Sequence, residues 1–174
     1  MKNAVFAIVS NAIQAEAVVD ELRLAGFANH DVSVLFPDVE GTQEFAHAKS
    51  TKAPEGAVIG ASAGGLLGGM AGWVLGIGTL TLPGVAPLIA AGPIFAALGG
   101  MAIGGAAGGL SGALAGLGFP EYEAKLFAGK LQDGNILIAA HTENDRETRT
   151  ARDIFERAGA HDIGITAEAS VPTT

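Results

Sequence analysis

The side chains able to carry proton or metal chemistry are few and thinly spread. Four histidines stand at His30, His47, His141 and His161, and there is no cysteine. Two of them repeat a dipeptide, His30-Asp31 and His161-Asp162. A metal site would need both pairs brought together; otherwise each His is a turn residue bonded within its own loop. His141 lies two residues before Glu143, an acid–base pair only if a cavity and convergent groups surround them. His47 sits in the polar stretch Gln43-Glu44-Phe45-Ala46-His47-Ala48-Lys49, where solvation is the simple reading. The missing thiols exclude disulfides, thiolate nucleophiles and Cys-based metal centres, and fit a reducing compartment. No GxxxxGK[ST] occurs. The GxGxxG-like spacings of the centre follow from glycine density, and lack a preceding strand and a following acidic ribose partner. The residues therefore name no catalytic, cofactor-binding or metal-binding position, and the expectation is a protein that is not an enzyme.

The elements that would position such groups are divided by charge. Residues 1–55 hold four Lys/Arg and eight Asp/Glu, residues 119–174 hold six and ten, and residues 56–118 hold none. The net charge of -8, with no basic stripe, excludes a phosphate-backbone binder such as a nucleic-acid protein. The first apolar run, Ala4-Val5-Phe6-Ala7-Ile8-Val9, is too short for a secretory leader and no small-residue cleavage site follows it. Cytoplasmic synthesis and retention are expected.

The two acidic flanks read as copies of one unit. Residues 4–9 form a strand, Ser10 caps a helix, and Ala15, Val18, Val19, Leu22 and Ala25 give that helix an apolar face. Gly26 ends it, and residues 31–36 alternate as a second strand closed by Pro37. In the second flank, residues 135–140 are the strand and Thr142 the cap, with Asp145 in a capping-box-like position. Ala151, Ile154, Phe155 and Ala158 line the helix, Gly159 stops it, and Ile163 begins the last strand. Asp145, Arg149, Asp153 and Arg157 form a charge ladder along that helix, the mark of a solvated face. Two βαβ units of this length predict an α+β domain with a four-stranded ferredoxin-like sheet and helices on one face. A further helix fits after the centre, with Pro120 at N1, Glu121 and Glu123 in its first turn and Gly134 beyond its end.

The centre has its own period. Gly56, Gly60, Gly64, Gly68, Gly72 and Gly76 recur every fourth residue, as do Gly100, Gly104, Gly108, Gly112 and Gly116, with Gly92 and Ala96 extending the second series backwards. A period of four places them on one side of an α-helix. Each glycine costs about 1 kcal/mol of helix propensity against Ala, which close backbone approach between helices can offset. A flexible linker would use polar residues without period. Helices over residues 56–77 and 94–117 would run about 33 and 36 Å at ~1.5 Å per residue, near the ~30 Å of a bilayer core. Pro83, Pro87 and Pro93, with Gly78 and Gly84, break helix between them. The expected organisation is residues 1–40 as the first βαβ half, 41–55 as a linker, 56–118 as an antiparallel Gly-zipper hairpin, and 119–174 as a helix plus the second half.

Two outcomes follow for the hairpin. It inserts into a bilayer with both flanks cytoplasmic, or several copies bundle their hairpins into the buried core of a soluble homo-oligomer, a scaffold or small-molecule-binding assembly. The uncharged connector weakens simple spanning, because backbone in an apolar loop needs protein partners. The order of elements, the run Gly-Ile-Gly-Thr-Leu…Leu-Pro-Gly-Val-Ala-Pro-Leu-Ile-Ala-Ala-Gly-Pro (76–93) and the segment Gly-Phe-Pro-Glu-Tyr-Glu-Ala-Lys (118–125) resemble the bacterial general-stress and low-temperature-induced protein family. The resemblance implies a stress-associated, non-enzymatic, membrane-associated protein and names no catalytic residue. The partners expected are other copies of the chain and membrane lipid.

Overall fold

The computed structural model describes residues 3–37, 77–80, 88–95 and 109–167. Its elements are β1 (Asn3–Val9), α1 (Ala12–Leu24), a 3₁₀ turn (Asn29–Asp31), β2 (Val32–Pro37), β3 (Ile77–Leu80) and β4 (Leu88–Ala91). They continue with α2 (Gly109–Gly116), α3 (Glu121–Gln132), β5 (Ile136–Thr142), α4 (Asp145–Arg157) and β6 (His161–Ala167). The class is α+β. The glycines at 56, 60, 64, 68, 72, 76, 100, 104 and 108, and His47, lie outside the described residues.

The four strands of the two flanks lie in the order β2-β5-β1-β6, each antiparallel to its neighbour. β1 and β2 therefore run the same way, with β5 between them. The sheet is wider than four strands. Residues 77–80 and 88–91, expected as the end of the first helix and the connector between the two helices, form β3 and β4, and β4 pairs with β2 to give the order β3-β4-β2-β5-β1-β6. The physical reason is the open edge of β2: short β-capable runs either side of a Pro/Gly-rich stretch satisfy their backbone by pairing there.

Both faces of the sheet are covered, which corrects the expectation of helices on one side. Val5, Ala7 and Val9 of β1 pack with Val18 and Leu22 of α1 and Ile154 and Phe155 of α4. The alternate residues Ala4, Phe6 and Ile8 pack with Leu110 and Leu114 of α2 and Phe127 and Leu131 of α3. A strand buried on both faces reads as a continuous apolar run, as β1 does. On the second face the rings of Phe6 and Phe119 are 4.1 Å apart, and Phe119 meets Phe127 edge-on at 5.3 Å.

The repeat is tighter than its letters suggest. From the first strand to the helix stop, the second copy lies 133 residues beyond the first: strand starts 3 and 136, N-caps 11 and 144, helix starts 12 and 145, positive-φ stops 26 and 159. The caps fall one and two residues after the expected Ser10 and Thr142. Asn11 Oδ1 accepts from Gln14 N–H at 2.9 Å, and Asn144 Oδ1 from Glu147 N–H at 3.0 Å. Thr142 is instead the last residue of β5 and is fully buried. Its hydroxyl contacts the Asn3 carbonyl at 3.0 Å and the Thr148 hydroxyl at 2.9 Å, and Thr148 in turn reaches the Asn144 carbonyl at 3.1 Å. Thr142→Val removes this link between sheet and α4 and leaves buried acceptors short of a donor. The expected cost is about 1–3 kcal/mol, read as a lower urea midpoint with an unchanged m-value.

Candidate functional site

α2 is the described part of the second glycine series. Leu110 and Leu114 turn inward to the sheet, while Gly112 and Gly116 are exposed on the opposite side. A Cβ built on Gly112 meets nothing within 4 Å. Gly109, the first residue of α2, has φ +55. A left-handed residue cannot sit inside a right-handed helix. One unbroken span over 94–117 is therefore corrected: its described residues Phe95, Leu110 and Leu114 belong to the core of the α+β domain. No described helix is long and apolar enough to cross a membrane.

Gly92 has a different role from the one its spacing suggested. It follows β4 with φ +97, and a Cβ there would lie 2.4 Å from Ser33 Oγ and 2.5 Å from the Val32 carbonyl oxygen. The close approach lets Ile94 N–H donate to the buried Ser33 hydroxyl at 3.0 Å. Gly92 is thus the pivot that carries the chain from the β3–β4 hairpin over β2. The Gly92-Pro93 pair was the available signal, a turn glycine before a residue suited to a first helical turn.

The repeated His-Asp pairs are not brought together. β2 and β6 are separated by β5 and β1, about 14 Å at ~4.8 Å per strand spacing. They also run in opposite directions, so His30, before β2, and His161, at the start of β6, stand at opposite ends of the sheet. His30 is held locally, with Nε2 3.4 Å from Asp31 Oδ1, while Asp31 Oδ2 accepts from Ala28 N–H at 2.9 Å. His141 lies in β5 opposite Ala4 of β1. Glu143, its suggested acid–base partner, donates its N–H to Glu147 Oε2 at 2.8 Å, so its backbone belongs to the cap of α4. Among the described residues no three His, Asp or Glu side chains converge as a metal site. Of the charge ladder on α4, Arg157 crosses to Glu21 of α1 at 3.2 Å, while Arg152 and Glu156, outside the ladder, bond each other at 2.8 Å.

A cleft of ≈560 Å³ opens between the C-terminus of α1 and the N-terminus of α4. Ala25, Gly26 and Phe27 form one wall and Glu143, Asn144, Arg146, Glu147 and Thr150 the other, with His30 and Asp31 at the side. The sequence singled out His30, Asp31 and Glu143 separately, and nothing in their spacing brings them to one cleft. Aligning the two copies at the 133-residue offset exposes it, through Gln14 in one and Glu147 in the other.

Comparison with protein-family models, with curated proteins and with solved structures finds no match to this chain.

Proposed function

We propose that the protein is a non-enzymatic, stress-associated assembly protein. Its ferredoxin-like α+β domain presents a charge-free glycine-periodic segment to other copies of itself at the cytoplasmic membrane. The observation that carries this reading is the orientation of α2: its leucines are spent on the domain core, and Gly112 and Gly116 face outward. A glycine-bearing helix face with room around it suits close approach by another helix. The stress association rests on the sequence resemblance alone.

The sheet topology supports association from one side of a bilayer. β2 ends at residue 37 and β3 begins at residue 77 in the same sheet. The chain between them must cross a membrane an even number of times or not at all. Two crossings need about 40 apolar residues, whereas residues 38–55 carry six charged side chains and only residues 56–76 are uncharged and long enough. The return from Phe95 to α2 is shorter than one span. The same tethering favours a second reading, the soluble homo-oligomer with these segments as its internal core.

Gly112→Leu tests the self-assembly common to both readings, because the site is open and the domain can tolerate the side chain. The expected result is a smaller particle by native mass measurement, with an unchanged far-UV spectrum. An unchanged particle size sinks the reading. Wild-type protein pelleting with vesicles but released by alkaline carbonate supports one-sided membrane association, and a large particle in the detergent-free soluble fraction supports the second reading.

A further inference from the structure

The two copies of the βα unit meet at two equivalent junctions, each between the end of one helix and the start of the other. At the first, the end of α4 faces the start of α1, and Gln14 Nε2 donates to the Ala158 carbonyl at 2.8 Å. That amide closes the gap, lying 3.7 Å from where a Cβ on Gly159 would stand. At the second, the end of α1 faces the start of α4, and the residue 133 positions after Gln14 is Glu147. A carboxylate has no N–H to offer, so it cannot make the corresponding bond to the Ala25 carbonyl. Here the junction stands open as the ≈560 Å³ cleft.

The missing group is a hydrogen-bond donor, and the surrounding charge says which kind. Among the described residues, Asp31, Glu143 and Glu147 line the cleft against one guanidinium, Arg146. Two backbone donors at the start of α4 are already committed: Glu147 N–H to Asn144 Oδ1 at 3.0 Å and Glu143 N–H to Glu147 Oε2 at 2.8 Å. An anion would meet three carboxylates, one guanidinium and backbone donors already committed. A cation meets those carboxylates together with the carbonyl end of α1, where the helix dipole is negative. A bare metal ion is not suited, since among the described residues no ligand set converges. The volume falls within the range of small-molecule sites.

We propose that this cleft binds an aliphatic primary amine, whose ammonium donates to the Ala25 carbonyl as the Gln14 amide does to Ala158 and is neutralised by Glu147, Glu143 and Asp31. The amine is either a free polyamine or the side chain of a lysine.

Calorimetric titration of the full-length protein with spermidine, and separately with Nα-acetyl-lysine-N-methylamide, tests this. The expected result is saturable 1:1 binding of at least one probe. Spermidine alone identifies a free amine; the lysine derivative alone identifies a protein side chain. Glu147→Gln restores the donor found at Gln14 and removes one charge. It is expected to fold normally and to weaken binding at least tenfold. Arg146→Gln, which removes the opposing cation, is expected to strengthen it severalfold, and Glu156→Gln, outside the cleft, to leave it unchanged. Absence of saturation by either probe up to millimolar concentration overturns the proposal. So does equal weakening by Glu147→Gln and Glu156→Gln, which would mark general attraction to an acidic protein.

Discussion

Gly92→Ala is expected to lower the thermal midpoint of the domain by about 10 °C. Two independent costs meet at this residue. The φ of +97 places any L side chain in strained backbone, about 1–2 kcal/mol. The added methyl would also overlap the Val32 carbonyl oxygen and Ser33 Cα, at 2.5 and 2.7 Å. Backbone cannot swing aside as a side chain does, and overpacking of this sort costs a further 1–3 kcal/mol or so. Each kcal/mol moves the midpoint of a chain this size by roughly 2–4 °C. The loss should be local in origin: amide exchange in β4 quickens first, because the pivot holding it against β2 is displaced. Gly112→Ala is the internal comparison. It meets open space in a helix and is expected to raise stability by up to about 1 kcal/mol. Similar effects from the two substitutions would refute the assignment of Gly92 as a pivot.

The second large effect is at Phe6. Its ring stands at the centre of an aromatic group, 4.1 Å from Phe119 and 6.5 Å from Phe95. Phe119 comes from the link between α2 and α3, Phe95 from the helical turn after Gly92, and Phe6 from a central strand. One side chain thus joins three chain segments distant in sequence. Phe6→Ala places Ala opposite Ala139 in the ladder and leaves a cavity that neighbours anchored on different elements fill poorly. The expected loss is about 3–5 kcal/mol, seen as a lower urea midpoint. Amide exchange should quicken in α2 and α3 before α1 and α4, which pack on the other face. Uniform quickening on both faces would show that the two layers do not open separately.

Much of the domain was legible from short-range pattern. The two helices, their glycine stops and the four flank strands each follow from periodicity and turn chemistry. Gly26 and Gly159 take positive φ as C′ residues do. What was not legible depends on distant partners. Ser10 and Thr142 are acceptable caps by chemistry, as are Asn11 and Asn144. Only the burial of Thr142 between β5 and α4 decides against it. Residues 77–80 and 88–91 look like loop because their surroundings forbid helix, and nothing local shows that β2 has an edge to fill. Coverage of both faces was in fact written into the unbroken apolar runs of β1 and β5, whose lack of alternation is the mark of a strand with no solvent side. The period of four around Gly109 misled in the opposite sense. Glycine spacing reports which face a residue would take in a helix and is silent on whether φ stays negative. The cleft was hidden for a simpler reason, since it is made by a difference between copies.

The ladder between β1 and β5 pairs Asn3 with Thr142, Phe6 with Ala139 and Val9 with Ile136. Under the offset that relates the copies, position 3 corresponds to 136, 6 to 139 and 9 to 142. The pairing therefore maps onto itself about Phe6 and Ala139. Val5 faces Ala140 and Ala7 faces Ile138, a β-branched residue against a small one in both orientations. The centre of the sheet is an isologous interface folded into a single chain. Such a ladder does not distinguish a second half supplied by its own chain from one supplied by a neighbour. The choice is left to the chain between residues 37 and 135, which carries β3, β4, α2 and α3 and whose tethering favours closure at home in dilute protein. At the high local density of an assembly that advantage shrinks. In the assembly proposed above, exchange of halves between neighbours would join copies through contacts each chain already makes with itself.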